Sequence, residues 1–299
     1  MRLVTYEARG APRLGALVKG WVVDLQRAAK KSSAGSLPSD MLSLIRGGDP
    51  SLAIARGAVK WAAARLAEGA AEGVARRADD TRLMAPLPNP PKLICLGLNY
   101  REHAVESGES LPPVPLLFSK FQSAIIGPGD AIKVPRVSEQ VDFEAELTFV
   151  IGKGGKHIED EAAMLHVLGY TCMNDVSCRE YQYKTSQWLA GKTFDTFAPM
   201  GPVIVTTDEI PDPHRLDIEL SINDEVMQHS NTSDMLFSIA TVIAYASRIF
   251  TLEPGDVFMT GSPPGVGEAR TPPRWLRPGD VVRIEIEGVG TLINPVDQE

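Results

Sequence analysis

Apolar and polar positions alternate most regularly over residues 141–149. Read as a strand, Val141, Phe143, Ala145, Leu147 and Phe149 share one face, and Asp142, Glu144, Glu146 and Thr148 share the other. Shorter β-prone runs fall at residues 3–6, 16–18, 21–25, 92–97, 203–205, 216–222, 257–259 and 281–286. A helical period occurs at 41–45, with Ser39 or Asp40 as its cap and Gly47-Gly48 as its stop, and again through Val59, Ala63, Leu66 and Ala70. Further helices are expected at 101–106, at 160–168 and from Ser233 or Asp234 to Phe250, the last apolar enough to lie in the core.

Prolines set the clearest boundary. The run Pro86-Leu87-Pro88-Asn89-Pro90-Pro91 cannot continue a helix or a central strand. It divides a small N-terminal α+β domain, residues 1–85, from a second domain, residues 92–299, with 86–91 as the linker. Beyond it Pro-Gly-Asp recurs at 128–130, 254–256 and 278–280, each time ahead of a β-prone segment. Pro-Gly favours a type II turn in which glycine takes a positive φ. The repetition points to a roll or barrel of similar hairpins within a mixed α/β fold dominated by strands.

Composition and charge narrow the function classes. The formal net charge of −8 lacks the basic clustering of a nucleic-acid surface, although one or two local cations suffice for a small anion. Three cysteines without CxxC spacing argue against a disulfide framework or a structural zinc, and fit buried free thiols in a reducing cytoplasm. The N-terminus shows no secretory apolar region, and the longest apolar segment, residues 235–250, is too short to span a bilayer. A cytoplasmic protein with no membrane partner is the expectation.

Candidate chemistry starts from the acids at 142, 144 and 146. Neighbours two apart on a strand face lie about 7 Å from one another, so they repel, and burial raises the cost of their charge. Such a row is left in water, protonated in part, or given a cation, and an all-carboxylate site without nearby Cys or His suits Mg²⁺ or Mn²⁺. His103 and Glu106 share a helix face, either as a surface pair or as a carboxylate-assisted base. Asp175 either caps a helix over 177–184 or delivers an acid to the cation, with Arg179 and Gln182 facing a ligand. Lys192 is a lone lysine in an uncharged neighbourhood, read more simply as a surface residue than as an oxyanion partner. The Gly/Pro-rich residues 260–267 match neither a P-loop nor a dinucleotide fingerprint.

Together, these segments resemble the fumarylacetoacetate hydrolase superfamily. The pieces occur in that family's order: Gly97-Leu98-Asn99-Tyr100 with His103 and Glu106; Phe118-Ser119-Lys120; Asp142-Phe143-Glu144-Ala145-Glu146-Leu147; Asn174-Asp175-Val176 with Arg179 and Gln182; Gly191-Lys192-Thr193-Phe194-Asp195; Phe237-Ser238-Ile239; and Thr260-Gly261-Ser262-Pro263-Pro264-Gly265-Val266-Gly267. The resemblance implies mixed sheets rolled into a barrel-like core, and a homodimer. It implies one Mg²⁺ or Mn²⁺ per subunit on Glu144, Glu146 and Asp175, with Asp142 outside the ligand set. It further implies a water-activating His103–Glu106 dyad on a lid segment, Lys192 as oxyanion partner, and Arg179, Gln182, Lys120 and Thr260 around the substrate's oxygens. Ser262 replaces the threonine common at that position among relatives.

The activity so implied is hydrolysis of a C–C bond in an acylpyruvate or other 2,4-diketo acid, releasing pyruvate or a related 2-oxo acid. The same enolate chemistry serves oxaloacetate decarboxylation, isomerisation, or dehydration of a 3-deoxy sugar acid, and fold does not choose among them. A metal-dependent nuclease fits poorly, since the Glu-Ala-Glu lacks the lysine of an E-x-K site and the acidic chain offers no phosphate-tracking surface. A metal-binding protein without catalysis requires His103 and Lys192 to lie far from the acids.

Overall fold

In this computed structural model, which describes residues 1–69, 71 and 73–299, the first strands open a sheet that runs through the whole chain. Arg2–Ala8 pairs with Ala11–Val18 on one side and with Ala198–Thr206 on the other. The order along the sheet is Ala75–Arg77, Trp21–Asp24, Ala11–Val18, Arg2–Ala8, Ala198–Thr206, Val167–Asn174, Ala145–Ile151, Val257–Met259, Leu93–Gly97 and Leu116–Ser119. The proline-rich residues 86–91 therefore mark a change of local structure, while sheet and core both cross them: Leu3, Leu44, Phe149 and Leu292 belong to one apolar cluster.

A second sheet, ordered Glu225–Asn231, Asp217–Ile222, Val281–Ile286, Gly290–Gln298 and Ile132–Val134, packs on the Ala145–Ile151 and Val167–Asn174 strands. The fold is mixed and strand-dominated, as expected. The barrel expectation is corrected: among the described residues the two ends of the long sheet, Ala75–Arg77 and Leu116–Ser119, do not pair, so no barrel closes. The Pro-Gly-Asp turns do share one construction. Gly129, Gly255 and Gly279 all take positive φ, and the aspartate that follows each accepts the backbone N–H three residues earlier, from Gly127, Glu253 and Arg277.

Helices depart from the periodicity where tertiary contacts intervene. Asp40 caps the Met41–Arg46 helix through Ser43 N, and the next helix runs Gly48–Ala67, while Ala70 lies outside the described residues. The expected helix at 160–168 is α-helical only over Asp160–Ala163 and passes through a 3₁₀ turn, Met164–His166, because Val167 already pairs with Ile151 in a central strand. The long C-terminal helix is shorter than expected, Ile239–Ile249, and Ser238 caps it through Thr241 N. The Leu25–Lys31 helix, capped by Asp24, was not expected at all.

The acidic run is not one strand. Val141–Asp142 pairs with Ser177–Cys178, and Ala145–Ile151 pairs with Val167–Asn174, so the chain changes partner at Phe143 and Glu144. Both faces are buried, which removes the option of acids left in water.

Candidate active site

Strand register builds the centre. Ala145 stands opposite Asn174, which brings Glu144, one residue before, beside Asp175, one residue after. The backbone closes this corner twice: Asp175 N donates to Glu144 O at 2.9 Å, and Glu144 N donates to the Asn174 side-chain oxygen at 3.0 Å. Glu146 follows on the same side. Carboxylate oxygens of Glu144, Glu146 and Asp175 all lie within 4.8 Å of one another, and all three residues are buried.

Cations surround these acids. Lys192 Nζ donates to Glu144 Oε2 at 2.9 Å and to Asp175 Oδ2 at 2.8 Å. It is 2% exposed, which overturns its reading as a surface lysine. Burial alone would lower its pKa, but Asp175 and Glu144 raise it above the ordinary lysine range, so it stays an ammonium. Burial likewise opposes ionisation of Glu144, yet Lys192 and then Arg179 hold its carboxyl well below the usual carboxylate range. Lys120 bonds Asp175 and the Val176 carbonyl, and burial keeps its pKa below the ordinary value despite that acid. Asp175 is thus a shared acceptor and caps no helix; the helix that follows is only Arg179–Gln182.

Glu146 is the exception among the three. Its Oε2 accepts Gly261 N at 2.7 Å, but its buried Oε1 has no hydrogen-bond partner among the described residues. Burial, then the charges of Asp175 and Glu144, push its carboxyl well above the usual range. A divalent cation among these oxygens would supply the missing partner and the missing charge, so the donor set fits Mg²⁺ or Mn²⁺. Asp142 lies outside this cluster. It accepts the N–H groups of Phe143, Gly267 and Glu268 and the Nε of Arg179, tying the Gly/Pro-rich loop to the acidic run.

A cavity of about 460 Å³ opens above the acids, lined by His103, Glu106, Glu144, Arg179, Gln182 and Lys192, with Trp188, Tyr183 and Glu268 at its sides. His103 and Glu106 are near but not joined. Nδ1 of His103 lies 3.7 Å from Glu106 Oε2, beyond hydrogen-bond reach, and is buried without a partner among the described residues. Glu106 instead accepts Gly265 N at 2.8 and 3.1 Å. Two residues expected near substrate do not line the cavity: Lys120 sits beneath Asp175, and Thr260 donates its hydroxyl to the Leu147 carbonyl at 2.7 Å. Arg179 lines the cavity but is engaged by Asp142, Glu144, Gln182 and Glu268.

Sequence reasoning missed several residues that hold this arrangement. Gln228 accepts Ala145 N and donates to Ser262 Oγ and the Pro263 carbonyl, joining the second sheet to the acidic strand and the loop. Nothing around Gln228 in the sequence marks it. Asn99 donates to the Thr260 and Phe237 carbonyls and accepts Phe237 N, and only its motif context singled it out. Trp188 packs edge-on to Phe118 at 5.5 Å, and Gly97 makes room: a Cβ there would lie 2.3 Å from the indole.

The model of the fumarylacetoacetate (FAA) hydrolase C-terminal domain matches residues 92–297. The chain belongs to the fumarylacetoacetate hydrolase family. A mitochondrial oxaloacetate tautomerase of Xenopus laevis is 45% identical over 302 residues, covering 99% of this chain and 90% of that protein. Among solved structures, the fumarylacetoacetate hydrolase of psychrophilic Exiguobacterium antarcticum superposes with a TM-score of 0.80 at 34% identity, over the full length of both chains. Maleylpyruvate hydrolase from Sphingobium sp. SYK-6, in complex with manganese(II) and pyruvate, superposes with a TM-score of 0.77 at 31% identity, covering 100% of this chain and 99% of that one.

These likenesses correct one expectation. The Xenopus relative and its counterparts in rat and cattle are mitochondrial, which contradicts the cytoplasmic reading. Cys95, Cys172 and Cys178 are free and buried, which does not distinguish one reducing compartment from another. Among the described residues no helix is long and apolar enough to cross a membrane.

Proposed function

We propose that this chain is a divalent-metal-dependent tautomerase that interconverts the keto and enol forms of oxaloacetate or a closely related 2-oxo dicarboxylate. The observation that carries it is His103, which lines the cavity beside Lys192 and Glu144 without the hydrogen bond to Glu106 that would orient it to activate water. A tautomerase needs one group that takes a proton from carbon and returns it to oxygen, and neither consumes water nor breaks a C–C bond. Similarity over nearly the whole chain to an oxaloacetate tautomerase supports the same reading.

In this proposal Glu144, Glu146 and Asp175 hold the cation, Mg²⁺ or Mn²⁺. When bound, it supplies positive charge that favours the enolate over the ketone. Arg179 and Gln182, 2.9 Å apart through Nη1 and Oε1, orient the substrate's oxygens. The Lys192 ammonium offsets charge as it develops on the C2 oxygen. His103 carries the proton between C3 and that oxygen. Assembly as a homodimer belongs to the same proposal.

A second reading, hydrolysis of an acylpyruvate, is favoured by the i, i+3 placement of His103 and Glu106, which a small rotation would join, and by the likeness to maleylpyruvate hydrolase. One experiment separates them. Decay of the enol form of oxaloacetate is followed by ultraviolet absorbance, with Mg²⁺, with Mn²⁺ and with chelator, while pyruvate release is measured from oxaloacetate and from a panel of acylpyruvates. Chelator-sensitive acceleration of enol decay without pyruvate release is expected. Pyruvate release from an acylpyruvate, with enol decay left at its spontaneous rate, would replace the tautomerase by the hydrolase.

A further inference from the structure

Among the described residues Arg179 is the one guanidinium lining the cavity, and three carboxylates hold it. Their anchoring is unequal. Asp142 is fully buried and accepts three backbone N–H groups besides the arginine. Glu144 is 7% exposed and bound by Lys192 as well. Glu268 is 38% exposed, lines the cavity, and meets Arg179 Nε at 3.3 Å. Among the described residues its side chain has one further partner, the hydroxyl of Tyr183 at 2.8 Å, and Tyr183 is itself 57% exposed.

An anion entering the cavity meets an arginine whose charge is already balanced. It gains that arginine only by displacing an acid, and only Glu268 is loosely enough held to leave. Replacing one carboxylate by another keeps the charge around Arg179 constant, so the exchange avoids the cost of a buried unpaired guanidinium. We propose that Glu268 is an exchangeable stand-in for a substrate carboxylate on Arg179, and that it sets how strongly the site takes dicarboxylic over monocarboxylic acids. Tyr183, which also lines the cavity, holds the stand-in in place. The choice of a four-carbon dicarboxylate as ligand rests on the tautomerase reading; the exchange itself does not.

The test is calorimetric titration of the Mg²⁺-loaded full chain with malate and with lactate, unreactive counterparts of the dicarboxylic and monocarboxylic 2-oxo acids. Glu268→Gln keeps the shape and removes the competing charge, and is expected to bind malate about fivefold more tightly while lactate changes by less than about twofold. Tyr183→Phe keeps the charge but cuts the tether, and is expected to move malate the same way by a smaller factor. Unchanged or weaker malate binding in Glu268→Gln, an equal gain for both acids, or no malate binding by either protein overturns the exchange. Tighter malate binding with no turnover of oxaloacetate would leave the exchange standing and remove the tautomerase; turnover with unaltered malate binding would do the reverse.

Discussion

At the scale of single residues, the site is a problem of charge in a buried place. Asp142, Glu144, Glu146 and Asp175 face Lys120, Arg179 and Lys192, and nearly every charged oxygen has its donor. Removing one member leaves an uncompensated charge, which costs far more than a surface pair is worth. Lys192→Met is therefore expected to lower unfolding stability by about 3–5 kcal/mol and turnover about 10²–10³-fold. Chemical denaturation with and without Mg²⁺ checks it: part of the stability deficit should return with the cation, and a variant as stable as the parent would contradict the charge balance described. Glu144 and Glu146 were legible in the sequence by type and spacing, whereas the spacing grouped Asp142 with them and left Asp175 between helix cap and cation ligand, so that only the family resemblance placed it at the centre. Lys192 was not legible, because an isolated lysine carries no local sign that two carboxylates from elsewhere in the chain bind it. Gly191 shows the same limit, since a Cβ there would lie 2.4 Å from Gln182 N and 2.6 Å from Cys178 O, a close approach that exists only between elements.

At the scale of elements, capping and pairing decide where helices begin and strands end. His214 Nε2 accepts the N–H of Ile239 at 3.0 Å, so a neutral imidazole closes the start of the Ile239–Ile249 helix. Burial lowers the His214 pKa below its usual value, against the opposing pull of Asp212. The sign follows: the unfolded chain takes up the proton first, so the contribution is complete above the unfolded pKa and is lost as pH falls through the folded one. A protonated ring would also lose its acceptor and set a positive charge at the positive end of the helix dipole. Between pH 8 and 5 the parent should lose more thermal stability than His214→Gln, by about 1 kcal/mol, the worth of a helix cap. Parallel melting curves across that range would refute the cap. This helix was read from its apolar run, but the run extends to Met235 and Leu236, whereas the helix starts at Ile239. Leu236 and Phe237 instead bond Asn99, and Met235 bridges Tyr100, contacts that no local pattern announces.

At the scale of the whole molecule, the centre draws on strands far apart in the chain, and a cation bound there must stabilise all of them together. Free ligand that binds only the folded state raises stability with its concentration. Mg²⁺ or Mn²⁺ is expected to raise the melting temperature of the parent in a concentration-dependent way, and chelator to reverse it. Glu146→Gln removes one of the three carboxylates and should abolish most of that rise; an undiminished shift would place the cation elsewhere. The long sheet makes this coupling physical, because Arg2–Ala8 and Leu93–Gly97 are strands of the same layer as Glu146. By itself the sequence determined the strand-dominated class, the Pro-Gly-Asp turns and the pairing of Glu144 with Glu146, since alternation, turn chemistry and carboxylate spacing are local properties. The tertiary structure alone decided that the acidic run breaks at Glu144, that the barrel stays open, that Lys192 is buried, and that Glu106 faces Gly265 instead of His103. Those outcomes depend on which distant N–H, ammonium or carbonyl arrives at each group, and a single buried partner outweighs any preference written in neighbouring residues.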